Sequence, residues 1–227
     1  MSDSLILYGS RARGDARVGS DVDLISAFDG HGVGSPVELN GVSLHRYSKE
    51  WLEQQAGEGS LFAYHVAFEG IGLFDPDGFL CRLKAAYRPK SSYRNDARIA
   101  ALVVRYFMQR DWNGNEEAKR RFFWAIRTIL ICASADAGTP VFSSGALERF
   151  AGLDGLSSII DRRSSVPLAE VNTMGTRVLN QFQPELDDLH GEALTEYLIE
   201  IGGIASDSVR ILGEPEAVEA AGLAIYM

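Results

Sequence analysis

The chain has few cysteines and no long apolar run. Cys81 and Cys132 are its only two cysteines among 227 residues. They are far apart within apolar helical patterns, which argues against a disulfide framework and predicts two buried thiols in a reduced compartment. The longest apolar stretch, residues 122–135, is broken by Arg127 and is too short to span a bilayer. The first residues also lack the pattern of a secretory leader. We therefore expect a cytoplasmic protein without a membrane partner.

Positive charge is also scarce. The chain has 22 Lys and Arg residues against 31 Asp and Glu residues, which gives a formal net charge of −9. Nonspecific binding to nucleic-acid phosphates needs a basic surface, so the composition disfavours a nucleic-acid partner. Residues 128–227 alone hold five basic and fifteen acidic side chains. If this half meets a substrate, its charge favours a cationic one.

The order of the predicted elements is strands first and helices afterwards. Alternating apolar runs and turn residues predict strands over 5–8, 22–27, 37–39 and 42–47, with a short edge strand over 70–74. Helices are expected from Lys49, which follows the capping residue Ser48, and over 60–69. Residues 9–20 and 30–36 are expected to be loops because they are rich in Gly.

The second half shows helical periodicity throughout. Apolar residues recur at three- and four-residue steps over 99–107, 122–133, 168–182 and 194–205. Helices of this kind bury their stripes against each other as a bundle. The sequence therefore predicts an α+β fold, in which a small mixed-sheet domain over 1–90 precedes an all-α helical bundle over 91–227.

A Gly-Ser pair and two nearby aspartates form the most informative motif. Gly9 and Ser10 follow the first predicted strand, and Asp21 and Asp23 come after a spacer of ten residues, at the start of the next. Side chains two apart on a strand share a face, so both carboxylates are expected to project together, with Val22 and Leu24 in the core. A divalent cation such as Mg²⁺, completed by substrate phosphates, would neutralise them. The Gly-Ser backbone and hydroxyl could hold those phosphates.

This motif resembles that of the nucleotidyltransferase superfamily of DNA polymerase β, in particular its minimal nucleotidyltransferase branch. The resemblance is carried by Tyr8-Gly9-Ser10 and by Asp21-Val22-Asp23-Leu24. It implies transfer of a nucleoside monophosphate, with AMP from ATP as the expected case, to a hydroxyl group by a two-metal mechanism. A helical bundle after the catalytic domain is similar to the architecture of kanamycin nucleotidyltransferase, in which it contributes the acceptor wall.

The resemblance also implies roles for individual residues. Asp21 and Asp23 would be catalytic and bind metal. The predicted nucleotide-binding set is Gly9, Ser10, Arg11, Arg13 and Ser20. An arginine at position 11 or 13 could neutralise the pyrophosphate, although each could equally be a surface charge of the loop.

The sequence departs from the family pattern at the third carboxylate. The expected acid would stand at position 43, in Val42-Ser43-Leu44-His45, but the residue there is Ser43. If Asn40-Gly41 forms a two-residue turn, Glu38 faces Ser43 and could supply the carboxylate from the neighbouring strand. Glu38 is therefore the third predicted catalytic residue, and a solvent-facing Glu38 beside an inactive site is an equally weighted alternative. His45 shares this face and could act as a base or simply pack.

Two classes of function stay open. The first is an enzyme that uses ATP or another nucleoside triphosphate with Mg²⁺ and modifies a small molecule or a protein. A cationic aminoglycoside and a toxin-type helical partner are examples of the two acceptor classes, and a homodimer is possible by analogy. The second is a catalytically degenerate protein that binds a nucleotide or a partner, a reading supported by Ser43.

Overall fold

The computed structural model describes residues 3–162, 166–182 and 188–213. The chain divides into two compact units at the boundary between Ser91 and Ser92, and each is described below by itself. The second domain predicted from the sequence also covers residues 163–165, 183–187 and 214–227, which lie outside the described part.

The first unit contains a five-stranded sheet and four helices. Its elements in chain order are β1 (Ser4–Tyr8), α1 (Gly9–Arg13), β2 (Val22–Phe28), β3 (Val33–Leu39), β4 (Val42–Ser48), α2 (Lys49–Gly57), α3 (Leu61–Glu69), β5 (Ile71–Phe74) and α4 (Phe79–Ala86). The strand order is β3-β4-β2-β1-β5, with β2 and β4 parallel and the other pairs antiparallel. The predicted strands, the edge position of β5 and the two helices after β4 are confirmed.

The hairpin between β3 and β4 has the predicted register. Asn40 and Gly41 both have positive φ angles, 50° and 75°, as a tight two-residue hairpin turn requires. Glu38 consequently pairs with Ser43, and Leu39 pairs with Val42. The loop predicted over 30–36 is partly wrong, because β3 already begins at Val33 and carries a register irregularity between Gly34 and Val37. An irregular stretch at Gly34 and Pro36 does not show the alternation by which strands are recognised.

One face of the sheet is covered by helices, and we call it the covered face. Ile6, Ile25 and Ala27 lie on this face and are fully buried against side chains of α2, α3 and α4. Asp23 has the same parity as Ile25 along β2, so it belongs to the covered face. Val22 and Leu24 are half-buried on the opposite face. The prediction that they enter the core is wrong, since a period of two fixes which residues share a face but not which face the helices cover.

The opposite face, here the open face, is also apolar. Leu7, Leu24 and Leu44 stand side by side across three strands and are half-buried. At the edges of the sheet, Leu39 and Phe74 are 67% and 56% exposed. The two faces therefore differ in packing and not in apolar character.

Residues 9–13 form the short helix α1, although a loop is predicted there. Its ending is sharp, because Gly14 adopts a left-handed conformation and its N–H bonds back to Arg11. The intervening Arg and Ala residues favour helix once the turn is started. The motif therefore lies on a strand, one helical turn and a second strand.

The second unit is helical throughout its described residues. Its helices are α5 (Arg94–Met108), α6 (Glu116–Asp136), α7 (Ser144–Ala151), α8 (Leu156–Asp161), α9 (Leu168–Phe182), α10 (Gly191–Ile201) and α11 (Gly203–Arg210). Their apolar stripes form one core that includes Phe107, Phe122 and Leu198. The predicted bundle is confirmed, but the stripe over 194–205 belongs to two helices. They separate at Gly202, whose φ of 74° and ψ of −168° are available to glycine and not to residues with a side chain.

The cysteines differ in exposure. Cys132 is buried in α6, whereas Cys81 is exposed on α4, and both are free. The prediction of a buried thiol is therefore wrong for Cys81. The buried side of α4 is set by Phe79 and Leu83, which are four residues apart, and Cys81 falls between them on the other side. In the described ranges no helix combines the length and apolar character needed to cross a membrane.

Candidate nucleotide site

The structure brings the two halves of the motif into contact at Gly9 and Asp23. Tyr8 at the end of β1 pairs with Asp23 at the start of β2, so the next residue, Gly9, lies beside that carboxylate. Gly9 has a φ of 75°, and a β-carbon at this position would collide with Asp23 Oδ2. Glycine is thus required here for both its conformation and its lack of a side chain. The backbone of the Gly-Ser turn and an acidic side chain share one site.

The two aspartates occupy different environments. Asp21 is exposed just before β2, and Asp23 is half-buried on the covered face. Burial raises the pKa of Asp23, and the negative charge of Asp21 adds to that effect. His45, His65 and Arg13 oppose it, because positive charge favours the carboxylate form. A raised pKa means that Asp23 holds its charge at a cost, which a bound cation would relieve.

Arg11 joins helix α1 to the segment that carries the aspartates. Its Nη2 donates to the carbonyl of Ser20 at 2.7 Å, and its Nε donates to the carbonyl of Asp21 at 3.2 Å. The hydroxyl of Ser20 accepts a hydrogen bond from the Arg17 N–H at 2.9 Å, so it closes a turn within the same loop. Ser10 is half-buried, and its carbonyl accepts from the Asp15 N–H at 3.0 Å. These bonds fix the course of the loop between the two motif halves.

Arg13 is engaged differently from Arg11. Its Nη1 lies 3.1 Å from Glu69 Oε2, and its Nε lies 3.2 Å from Asp15 Oδ2. The side chain of Arg13 is 17% exposed. The guanidinium that the sequence assigns to a nucleotide is therefore held by two carboxylates of the chain itself.

At position 43, where the third carboxylate is expected, the residue is a serine, and His45 lies next to it. Ser43 pairs with Asp23 across the parallel strands, and its Oγ lies 3.1 Å from His45 Nε2. Burial lowers the pKa of His45, while Asp23 and Glu38 act in the opposite direction. Glu38 is exposed on the neighbouring strand, directly opposite Ser43. The structure thus brings Glu38 next to Ser43, at the rim of the site.

The carboxylates of the site suit a cation that binds together with a nucleotide. Across the described residues, no group of three or more His, Cys, Asp or Glu side chains lies close enough to hold a metal ion by itself. Asp21 and Asp23 are two carboxylates, and one or two carboxylates completed by phosphate oxygens are the usual protein contribution to an Mg²⁺ site. These residues therefore fit Mg²⁺ bound with a nucleotide, and not a metal cage made by the protein alone.

Sequence reasoning missed His65 and Glu69 of α3. His65 Nδ1 lies 2.6 Å from Glu69 Oε2, and its ring meets the Tyr8 ring edge to face at 5.6 Å between centroids. The signal was available in part, since the two residues are four apart and so share one side of a helix. Their proximity to Arg13, 56 residues from Glu69, could not be inferred from spacing.

Comparison with known proteins identifies the class of this site. The profile of the family described as nucleotidyltransferase domain matches residues 2–67, which include both motif halves and most of the first unit. Residues 2–67, less than a third of the chain, are therefore similar to the nucleotidyltransferase domain of the DNA polymerase β superfamily. This domain supports a general role in nucleotidyl transfer, with a nucleoside triphosphate as substrate.

The other comparisons add little beyond the class. A solved structure of a nucleotidyltransferase-like protein from Exiguobacterium sibiricum 255-15 is 14% identical, with a TM-score of 0.32. The alignment covers 91% of this chain and 72% of that protein. A similarity at this level carries no argument about substrate or mechanism. None of the curated proteins matches the chain.

Proposed function

We propose that this protein transfers a nucleoside monophosphate, with AMP from ATP as the expected case, to a hydroxyl of a small molecule or a protein. The observation that carries the proposal is the contact between the Gly9 backbone and the Asp23 carboxylate. In this proposal the turn at Gly9 would bind phosphate and the adjacent Asp23 would bind the metal, so the two groups would act at one point. A solvated pair of acids with a structural role would not need a glycine against one of them.

Each group of the site has a proposed role in holding the nucleotide. The Ser10 hydroxyl and the backbone N–H groups of residues 9–11 would bind the β- and γ-phosphates. Asp21 and Asp23 would hold Mg²⁺, which when bound with the nucleotide screens phosphate charge and, as a two-metal pair, stabilises the attacking and leaving oxygens. Arg11 lies beside these groups and adds positive charge near the departing pyrophosphate.

The transfer step places the acceptor hydroxyl near Ser43. Its oxygen forms a bond to the α-phosphorus, the bond between the α-phosphorus and the bridging oxygen breaks, and pyrophosphate leaves with the electron pair. The hydroxyl proton passes to Glu38, the carboxylate that stands opposite Ser43. The acidic composition of residues 128–227 favours a cationic small molecule such as an aminoglycoside as the acceptor. A protein acceptor is the alternative within this class.

A second candidate is supported by the same site. Ser43 stands where the family pattern has the third carboxylate. A protein of this kind would bind a nucleoside triphosphate, or a partner, without turnover. It differs from the enzyme only in the fate of the nucleotide.

One experiment separates the two candidates. The protein is incubated with α-labelled ATP, Mg²⁺ and a panel of aminoglycosides or a cell extract, beside Asp21→Asn and Asp23→Asn variants. Aspartate-dependent label transfer or pyrophosphate release supports the enzyme. Mg²⁺-dependent ATP binding without either product supports the non-catalytic protein. Failure of the wild-type chain to bind or use any nucleoside triphosphate would contradict the enzyme and the nucleotide-binding form of the second candidate.

A further inference from the structure

We infer that Arg13 is a positioning residue rather than a phosphate ligand. In this inference Glu69 and His65 of α3 hold Arg13 and thereby set the position of the phosphate-binding segment Gly9–Arg13 relative to Asp23. The inference rests on the proposed function, because it assigns a role within the same site.

The first support is the pairing of Arg13 with two carboxylates of the chain. Glu69 Oε2 lies 3.1 Å from Nη1, and Asp15 Oδ2 lies 3.2 Å from Nε. Of these two carboxylates, Glu69 is the one held by the fold, since it is 21% exposed and ends α3. A guanidinium with two of its nitrogens already paired with carboxylates is poorly placed to bind a triphosphate. It is well placed to tie the end of α1 to α3.

The second support is that Glu69 is held from two sides. Its Oε2 lies 2.6 Å from His65 Nδ1 as well as 3.1 Å from Arg13 Nη1. Burial of Glu69 acts to raise its pKa, but the close contact with His65 and the hydrogen bond from Arg13 outweigh burial and lower it. Glu69 is therefore an anion at neutral pH that joins one residue of α1 to one residue of α3.

The third support is that the contacts of His65 and Glu69 extend to Tyr8, the residue before Gly9. The His65 ring packs against Tyr8, which precedes Gly9 and pairs with Asp23. Contacts from α3 thus reach α1 at both of its ends, through Tyr8 before Gly9 and through Arg13 at its last residue. Since an N–H of this turn can bind phosphate only when it points at the site, a tilt of α1 would weaken nucleotide binding without removing any ligand atom.

A double-mutant cycle tests the inference, using Glu69→Gln, Arg13→Gln and the double variant. A positioning role predicts that each single change raises the KM for ATP by about tenfold and that the double variant is no worse than either single one. The kcat and the acceptor KM should change much less. If Arg13 bound phosphate directly, Glu69→Gln would leave ATP affinity equal or tighter while Arg13→Gln weakened it, and that result overturns the inference.

A matched control and a nucleotide-free measurement complete the test. Glu53 pairs with Arg82 at 3.5 Å on the surface of the same unit, so Glu53→Gln removes a comparable ion pair and should leave the ATP KM unchanged. Without nucleotide, Glu69→Gln should speed hydrogen exchange at the Gly14 and Asp15 amides, which bond to Arg11 and Ser10. Unchanged exchange at these two amides overturns the inference whether or not the protein transfers nucleotide. Failure of the wild-type chain to bind ATP would instead count against the proposed function.

Discussion

The two sides of the candidate site differ in how many contacts within the chain hold their residues in place. On the phosphate side, formed by Gly9–Arg13 and Ser20–Asp21, the backbone is fixed by Arg11, by Arg13 and by the contact of Gly9 with Asp23. On the acceptor side, formed by Glu38, Ser43 and His45, one short Ser-His contact stands where a carboxylate is expected, and Glu38 is exposed. Under the proposed function, nucleotide binding and nucleotidyl transfer would therefore depend on separate residues. Either could be lost while the other persists.

The largest expected effect comes from adding a β-carbon at Gly9, on the phosphate side of the site. Gly9→Ala should reduce transfer and ATP binding by about a thousandfold, because its β-carbon would displace Asp23 and the site loses several kcal/mol of preorganised interaction. Gly14→Ala is the matched control: Gly14 has nearly the same φ, 77°, but a β-carbon there meets nothing within 4 Å. It should cost about 1 kcal/mol of stability and leave the KM for ATP within a factor of about three. Equal losses in the two variants would show that backbone strain, and not the contact with Asp23, is responsible.

The second-largest effect is expected from a change at Glu38, on the acceptor side. If Glu38 accepts the proton, Glu38→Gln should lower kcat by about a hundredfold, within the range for general bases, with little change in ATP affinity. Glu50→Gln, on the neighbouring helix α2, serves as the control for the loss of one negative charge from this unit. A Glu38→Gln variant with wild-type kcat would remove Glu38 from the mechanism.

Restoring the expected acid at position 43 should strengthen metal binding on the acceptor side. Ser43→Asp would place a third carboxylate beside Asp23, because the two residues pair across parallel strands. We expect about tenfold tighter Mg²⁺ binding, which corresponds to about 1.4 kcal/mol. The measurement is the Mg²⁺-dependent rise in melting temperature, compared with Ser43→Asn, which has a similar shape and no charge. If both variants respond alike, position 43 does not face the metal site.

The smallest effect concerns the charge of Asp23 in the metal-free protein. Burial raises the pKa of Asp23, so the folded protein binds this proton more tightly than the unfolded chain does. The associated stability is present below the ordinary pKa of Asp and is lost as pH rises through the raised pKa. Asp23→Asn should therefore raise the melting temperature by about 2 °C at pH 7 and have no such effect at pH 3. Asp3→Asn, at an exposed position, should not show this dependence, and a pH-independent shift in Asp23→Asn would point to packing instead.

The sequence predicted those parts of the site that depend on local geometry. The Asn40-Gly41 turn sets the register of its hairpin, so the pairing of Glu38 with Ser43 followed from two adjacent residues. The face occupied by Asp23 was predicted incorrectly, since β2 is apolar on both faces and the helices that cover one of them come later in the chain. Likewise, the partner of Arg13 lies on α3, and nothing in the Gly-Ser motif specifies the helix against which it packs.

The parallel pairing of β2 with β4 also has a consequence for how the protein folds. The hairpin of β3 and β4 closes through two residues, an event of about 1–10 μs in isolated hairpins. Joining β4 to β2 instead aligns Val22 with Val42 across the intervening chain, and the Val22 N–H then bonds to the Gly41 carbonyl at 2.7 Å. Non-local pairings of this kind are the slower events of folding. Ser43 and Glu38 should therefore reach Asp23 as one preassembled unit, late in folding, so that the order of chain assembly itself controls when the site comes into existence.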